Sequence, residues 1–475
     1  MAASDNLEAD LDSKHQSHHA EDVQVMSEDD LEAEKRLVRK IDKRLLLPTA
    51  IIYLLCYLDR SNIGNAKILN STTNDTLMDT NNISNHQFTI AMMVFLVAYS
   101  LFEAPSNLAL KRFKPHRWLG FLVIAFGALC TGIGFSHNFA EIAVLRFFLG
   151  AAEAGVFPGM IFFFTFWYKA EERAIRIAFF LCSATLSGAF GGAIAYGVGK
   201  LNGNHGLEGW RWLFIIEGVP SIAVGFLVFF FLPSYPEKAN WLSAEEKDLQ
   251  VRRLGVNRSS GQDKLNWEDA KETLCSPRLY MHYLTYLTVG TGVASLAYFA
   301  PTIIEGLGYS DLQAQLFTVP PYGIAYPITL LLAWLSDRFK TRGIIATCSS
   351  AAAAVAFIIQ ACLPADAYTV RYVFLIISTI GVFGGLPSLN AWVGDNVRTT
   401  TASSLTIALN IAFSGPGQII GVWIYRAQDA PAYRLGHGIN AGMSLISATM
   451  ALGLTIYYRR LNRKLRGTGE TPWVA

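Results

Sequence analysis

The stretch "YLLCYLDRSNIGNA", residues 53–66, is an apolar run with Asp59 and Arg60 side by side inside it. A soluble core excludes such a pair, and a membrane helix excludes it more strongly, because an ionisable group near the bilayer centre costs from ~2.5 kcal/mol upward. The surrounding chain decides which environment this is. Of 475 residues, 52% are hydrophobic and only 16% charged, against about a quarter charged in an average soluble protein. Spanning lipid as a helix takes about 20 mostly apolar residues. Twelve such runs occur, at 45–66, 88–108, 118–137, 141–166, 174–199, 211–232, 279–304, 316–335, 343–363, 370–390, 402–424 and 438–458. The sequence therefore predicts an all-α membrane protein, and residues 53–66 close its first span.

Lysine and arginine collect on the cytoplasmic side of membrane proteins. With both tails inside, 30 of the 39 basic residues fall on inside segments and six outside, namely Lys67, Lys200, Arg211, Arg371, Arg426 and Arg434. The other three are Lys14 on the tail and Arg60 and Arg146 within spans. The loop 67–87 is then outside, with sequons at Asn70, Asn74 and Asn82 that are either glycan acceptors or chance in an Asn-rich loop. The sequon at Asn257 falls inside and is expected to stay bare.

Five segments follow: a tail at 1–44 with a basic end beside the membrane, six spans over 45–232, a polar cytoplasmic loop at 233–278, six more spans over 279–458, and a second tail at 459–475. The first 34 residues hold eleven acids and one lysine, which reads as disorder, and they lack the pattern of a signal peptide. The halves echo each other. "LKRFKPHR" matches "LSDRFKTR" with Arg112 and Arg338 separated by 226, and the Ser-Gly pairs at 187 and 414 are separated by 227. Such repeats mark carriers that rock around a site at the midplane.

The ionisable residues within spans are Asp59, Arg60, Glu103, Arg146, Glu153 and Glu217. At 1.5 Å per residue, Arg60 and Arg146 lie at one level, about 8–9 Å below the outer edge. Glu153 is two turns beyond Arg146 on the same face, deeper by about 10 Å. Two guanidiniums at one depth suit an anion, and the bidentate fork of arginine favours a carboxylate. Acids below them, held between burial and a nearby cation, can exchange a proton. Asp59–Arg60 and Arg146–Glu153 could instead be structural ion pairs. Glu103 and Glu217, close to span ends and followed by prolines, read as structural, as does His282. The glycine pairs Gly155/Gly159 and Gly188/Gly192 allow close helix approach. The scattered cysteines read as packing. No metal-ligand cluster, nucleophile–base pair, phosphate loop or nucleic-acid face is visible, so no metal, organic cofactor or enzymatic activity is expected.

The segments "YLLCYLDRSNIGNA", "FEAPSNLALKRF", "RFFLGAAEAGVFPG", "FWYKAEERAIR", "GWRWLFIIEGVPS" and "IYRAQDAPAYRLGHG" together resemble the anion:cation symporter family of the major facilitator superfamily, over about residues 35–460. The closest resemblance is to the fungal allantoate permease branch, which includes carriers of nicotinate, pantothenate and biotin. It implies two pseudo-symmetric six-helix bundles and a monomeric, proton-coupled importer of a small organic anion at the plasma membrane. By the same resemblance Asp59 and Glu153 take part in proton coupling. Arg60, Arg146 and Tyr57 line the substrate site, and Ser388, Asn390 and Asn410 contribute from the second half. Asp337 and Arg338 belong to a conformational loop motif whose first-half acid position is Lys111 here. Span five carries "SGAFGG" in place of the G-P-x-x-G-G signature of antiporters. A facilitator or exporter of an organic acid or secondary metabolite, and a nutrient sensor built on a carrier fold, remain open beside this reading.

Overall fold

A computed structural model describes residues 28–233, 235–254, 267–397, 400–465 and 472–474, and among these there are helices and no strands. We number twelve long elements. In the first half these are α1 (Glu28–Ile68), α2 (Asn85–Arg112), α3 (Pro115–Ile133), α4 (Phe139–Glu153 with Val156–Thr165), α5 (Ala170–Gly199) and α6 (Gly209–Phe231). In the second they are α7 (Pro277–Glu305), α8 (Val319–Phe339, preceded by the short helix Asp311–Leu316), α9 (Arg342–Cys362), α10 (Tyr368–Gly384 with Leu386–Asp395), α11 (Thr400–Trp423) and α12 (Arg434–Leu465). Eleven helices among the described residues are long and apolar enough to cross a membrane. The exception is α1, whose apolar run is diluted by Asp59, Arg60, Ser61, Asn62 and Asn65.

The pattern of neighbours repeats between halves. In the first, α1 packs on α5, α2 on α4 and α3 on α6; in the second, α7 packs on α11, α8 on α10 and α9 on α12. The halves meet where α1 lies on α7, α2 on α11 and α5 on α8. Both α4 and α10 are interrupted at equivalent places, at Gly155 (φ −87°, ψ −9°) and Gly385 (φ −83°, ψ −19°). Pro158 and Pro387 follow, and neither can donate the backbone hydrogen bond that would carry the helix across. The molecule is twelve helices in two pseudo-symmetric six-helix bundles. Large apolar side chains such as Phe121, Phe148, Phe226, Phe231, Trp334 and Leu452 point outward, while Asp59, Arg146 and Glu153 are wholly buried. This inverts a soluble protein and suits a lipid solvent.

The expected disorder of the first tail needs correction over residues 28–44, where the chain is helical and continuous with α1, while residues 1–27 lie outside the described residues. Leu37, Ile41 and Leu45 recur at helical spacing and are buried. The polar face is tied down as well. Glu34 accepts from Lys169 at 2.5 Å and from Arg253 at 3.1 Å, Arg176 pairs with Asp42 at 2.8 Å, and Lys40 pairs with Glu246 of the linker helix Ala244–Leu254 at 2.7 Å. Arg253 also pairs with Glu172. Burial pushes the Glu34 carboxyl up, but Lys169 and Arg253 together outweigh it and hold it below the ordinary carboxylate range.

At the end that carries loop 67–87 the halves are joined directly. Ser71 donates to Glu305 at 2.8 Å, Thr72 to Asp311 at 3.0 Å, and the Gln315 amide to the Asn65 carbonyl at 2.9 Å. A Cβ at Gly192 would overlap Thr318 Oγ1 and the Gln315 carbonyl, so α5 meets α8 there with no side chain between. The small-residue stripe of α5 thus lies on the seam between halves.

Candidate functional site

The buried charges gather in the first half, beside the seam. Arg60 on α1 reaches Glu153 on α4, with Nη2 at 3.2 Å and Nε at 3.3 Å from Oε2. Cys56, one turn before Arg60, donates to the same oxygen at 3.4 Å. The Arg60 guanidinium lies over the rings of Tyr99 at 4.6 Å, Tyr57 at 4.7 Å and Phe95 at 5.3 Å. Arg146 lies over Phe95 as well, at 4.7 Å. One ring therefore meets both guanidiniums, which brings them into one cluster.

Their pairing differs from either sequence-based alternative. Glu153 takes Arg60 rather than Arg146: seven residues along one helix separate Arg146 from Glu153 by about 10 Å, whereas Cys56 and Arg60 reach Glu153 from one face of α1. Arg146 is wholly buried, and its Nε, Nη1 and Nη2 have no hydrogen-bond partner in the protein. A buried charge left without a partner costs on the order of 3–5 kcal/mol, so this guanidinium calls for an anion or water. Tyr298 of α7 is the group from the opposite half in its electrostatic surroundings, and the Tyr298 hydroxyl is itself buried without a partner.

Asp59 turns the other way around α1. Cys130 of α3 donates to its Oδ1 at 3.3 Å, and its Oδ2 is buried without a partner. Asn62 donates to Glu217 of α6 at 2.6 Å, one turn along the same face. The Asp59–Arg60 pair considered from sequence is therefore not formed. Two of the cysteines read as packing are hydrogen-bond donors to the two candidate coupling acids. The sequence held a signal for one of them, since Cys56 and Arg60 are four apart and share a helix face. Cys130 lies on α3, and nothing in its spacing announces Asp59.

The second half contributes a polar ladder. Asn410 of α11 donates to Asn390 of α10 at 3.2 Å, and Asn390 donates to the Tyr286 hydroxyl of α7 at 2.7 Å. Ser388 is buried with its hydroxyl unpartnered. Tyr286, unforeseen from sequence, lies within electrostatic reach of Tyr57 and Glu103 across the seam. His282 contacts the Tyr458 hydroxyl at 3.1 Å and sits edge-on to Trp392, a structural placement. A cavity of about 20 Å³ between the halves is lined by Tyr57, Ser61 and Asn65 of α1, Ser187 of α5 and Tyr322 of α8, among others. That volume holds about one water, so a solute requires the halves to part.

Of the loop motif, Asp337 pairs with Arg342 at 2.7 Å, and Arg342 also pairs with Asp395 at the end of α10. Arg338 is exposed. Arg342 and Asp395 were not foreseen. Among the sequons, Asn74 and Asn82 are exposed. Asn70 is not: its side chain is buried and donates to the Gly199 carbonyl at 3.1 Å, which leaves no room for a glycan in this arrangement. Asn257 lies outside the described residues.

Known proteins share this architecture. The chain is 50% identical over 442 residues to the MFS transporter prlL of a fungal species (strain NRRL 50135), covering 92% of this chain and 89% of that protein. It is 32% identical to a putative tartrate transporter of Agrobacterium vitis, covering 89% and 92%. It is 28% identical to the high-affinity nicotinic acid transporter of Saccharomyces cerevisiae, covering 91% and 79%. Among solved structures, a bacterial homolog of the human lysosomal transporter Spinster, in an inward-facing and unoccupied conformation, aligns with a TM-score of 0.64 at 17% identity, over 90% of this chain and 98% of that one. The family description Major Facilitator Superfamily matches residues 49–422. Twelve helices in two matched bundles, a charged cluster at their seam and these relatives together make the chain a member of the Major Facilitator Superfamily of membrane transporters.

Proposed function

We propose that the chain is a proton-coupled symporter that imports a small carboxylated organic anion, vitamin-like or a nitrogen or carbon source, by alternating access. The observation that carries this reading is Arg146, a wholly buried cation whose three donor nitrogens are unmatched by protein, one ring away from the Arg60–Glu153 pair. A carboxylate entering between the halves meets the Arg146 fork, with Tyr57 on the near side and Asn390, Asn410 and Ser388 on the far side. It also competes with Glu153 for Arg60, so binding of the anion loosens the Glu153 carboxylate and favours its protonation. Asp59, held by Cys130, is the second proton-binding group. Nicotinic acid and tartrate, named for two relatives, are both carboxylic acids, which agrees with this site chemistry. We place both tails in the cytoplasm from the distribution of basic residues, and the carrier at the plasma membrane as a monomer from the family resemblance and the sequons.

The test is an uptake screen of labelled carboxylates, nicotinate and pantothenate included, in cells expressing the chain. Uptake should rise as external pH falls. Glu153→Gln should allow downhill entry while abolishing accumulation and its pH dependence, and Arg146→Ala should abolish saturable uptake. Accumulation by the Gln variant with unchanged pH dependence would remove Glu153 from coupling, and normal affinity in the Ala variant would remove the anion site.

A further inference from the structure

At the tail end of the second half, well apart from the charged cluster, a cavity of about 1020 Å³ is lined in part by Arg278, Leu279, Tyr457 and Trp473. Part of its wall is Trp473, from the chain's own segment Pro472–Val474. The Trp473 N–H donates to Asn462 Oδ1 at 2.8 Å, and Asn462 Nδ2 returns a bond to the Trp473 carbonyl at 2.7 Å. The Val474 N–H donates to Asn396 Oδ1 at 3.0 Å, and the Val474 carbonyl accepts from Asn396 Nδ2 at 3.0 Å and from Trp392 Nε1 at 2.8 Å. The Arg278 guanidinium covers the Trp473 ring at 4.1 Å. Two carboxamides thus read two consecutive residues, each satisfying one N–H and one C=O, while a cation holds the aromatic side chain. Asn396 and Trp392 are wholly buried, so their polar atoms face this peptide rather than water.

We propose that Trp392, Asn396, Asn462 and Arg278 form an intramolecular peptide-binding site whose ligand is the Trp473-Val474 segment, and that its occupancy fixes the inner half of α10. The physical reason lies in the break at Gly385. Beyond it, Leu386–Asp395 is a separate helix that carries Ser388 and Asn390, and Arg342 also holds its end through Asp395. The docked segment ties the far end of that helix, through Trp392 and Asn396, to Asn462 of α12 and Arg278 of α7. Release of the segment leaves Arg342–Asp395 as the remaining polar tie at that end and loosens the helix that presents Asn390 toward the seam. This inference stands on contacts within the second half and holds whichever solute is carried.

Hydrogen–deuterium exchange on the purified full chain tests it without any transport assay. In the unmodified protein, the Trp473 and Val474 amides should exchange at least about 10-fold more slowly than an unstructured chain. Trp473→Ala removes a half-buried ring that packs on Tyr458 and Arg278, and should abolish that protection. It should also speed exchange across 386–396 by about 10-fold, while leaving 139–153 in the other half unchanged. Trp473→Phe, which keeps a ring for Arg278, should fall between. Free exchange at 473–474 in the unmodified chain, or unaltered exchange at 386–396 in Trp473→Ala, would overturn the proposal.

Discussion

Arg146 and Arg60 are chemically alike and equally deep, yet their partners set them apart. Arg60 is held by Glu153 and by three aromatic rings, whereas Arg146 has one ring and no acceptor. Arg146→Lys keeps the charge but loses the planar fork, so the half-saturation concentration should rise by about 10-fold or more in a labelled-uptake titration. Tyr286→Phe removes the acceptor of the Asn390 amide. A buried amide donor left unmatched costs about 1–3 kcal/mol, so affinity should drop with the pH profile intact, which the same titration at several pH values would read. Nearness was legible in the sequence because helical rise is fixed: counting residues put both guanidiniums at one level, and both meet the Phe95 ring. Partner choice was not legible. Which acid meets which base depends on how α1, α3 and α4 rotate against one another, and no spacing within a single helix encodes that.

Among the elements, α5 and the inner extension of α1 are the ones whose behaviour can be forced. Gly192→Leu places a branched side chain where Thr318 and the Gln315 carbonyl now touch α5. The variant should still insert and express, but uptake should fall by at least about 10-fold, because overpacking a closed seam costs about 1–3 kcal/mol. At the other end, Glu34 carries a depressed carboxyl pKa, so its stabilising link is complete above the ordinary value of 4.5 and is lost as pH falls through the lowered one. Exchange or proteolysis at 28–44 should increase only in that acid range, and Glu34→Gln should show the raised rate already at neutral pH. The number of spans was readable from apolar length alone, except that α1 needed its polar residues to be forgiven. The interruptions in α4 and α10 were written as Gly155 with Pro158 and Gly385 with Pro387. They were passed over because glycine and proline also occur in membrane helices that continue. The helix before residue 45 was hidden by its density of charge: its stripe of Leu37, Ile41 and Leu45 is short, and the partners that Glu34, Lys40 and Asp42 find elsewhere in the fold lie more than a hundred residues away.

For the whole molecule, duplication was visible as two short matches near one offset, and the repeated neighbour pattern of the twelve helices is its structural form. Topology makes a prediction of its own. If loop 67–87 is outside, enzymatic deglycosylation should shift the mobility of the expressed protein. Asn74→Gln combined with Asn82→Gln should remove the shift, while Asn70→Gln should leave it, because Asn70 is spent on the Gly199 carbonyl. What no part of the sequence disclosed is where the halves touch, since the hydroxyls of Ser71 and Thr72 find Glu305 and Asp311 more than two hundred residues away. That clasp has a chemical bias. A hydroxyl donating to a carboxylate makes a charge-assisted bond, roughly twice as strong as a neutral one. If this is the face that the proposed importer opens first, every cycle must exchange both bonds for bonds to water, so the strength of the latch limits how fast the mouth can open.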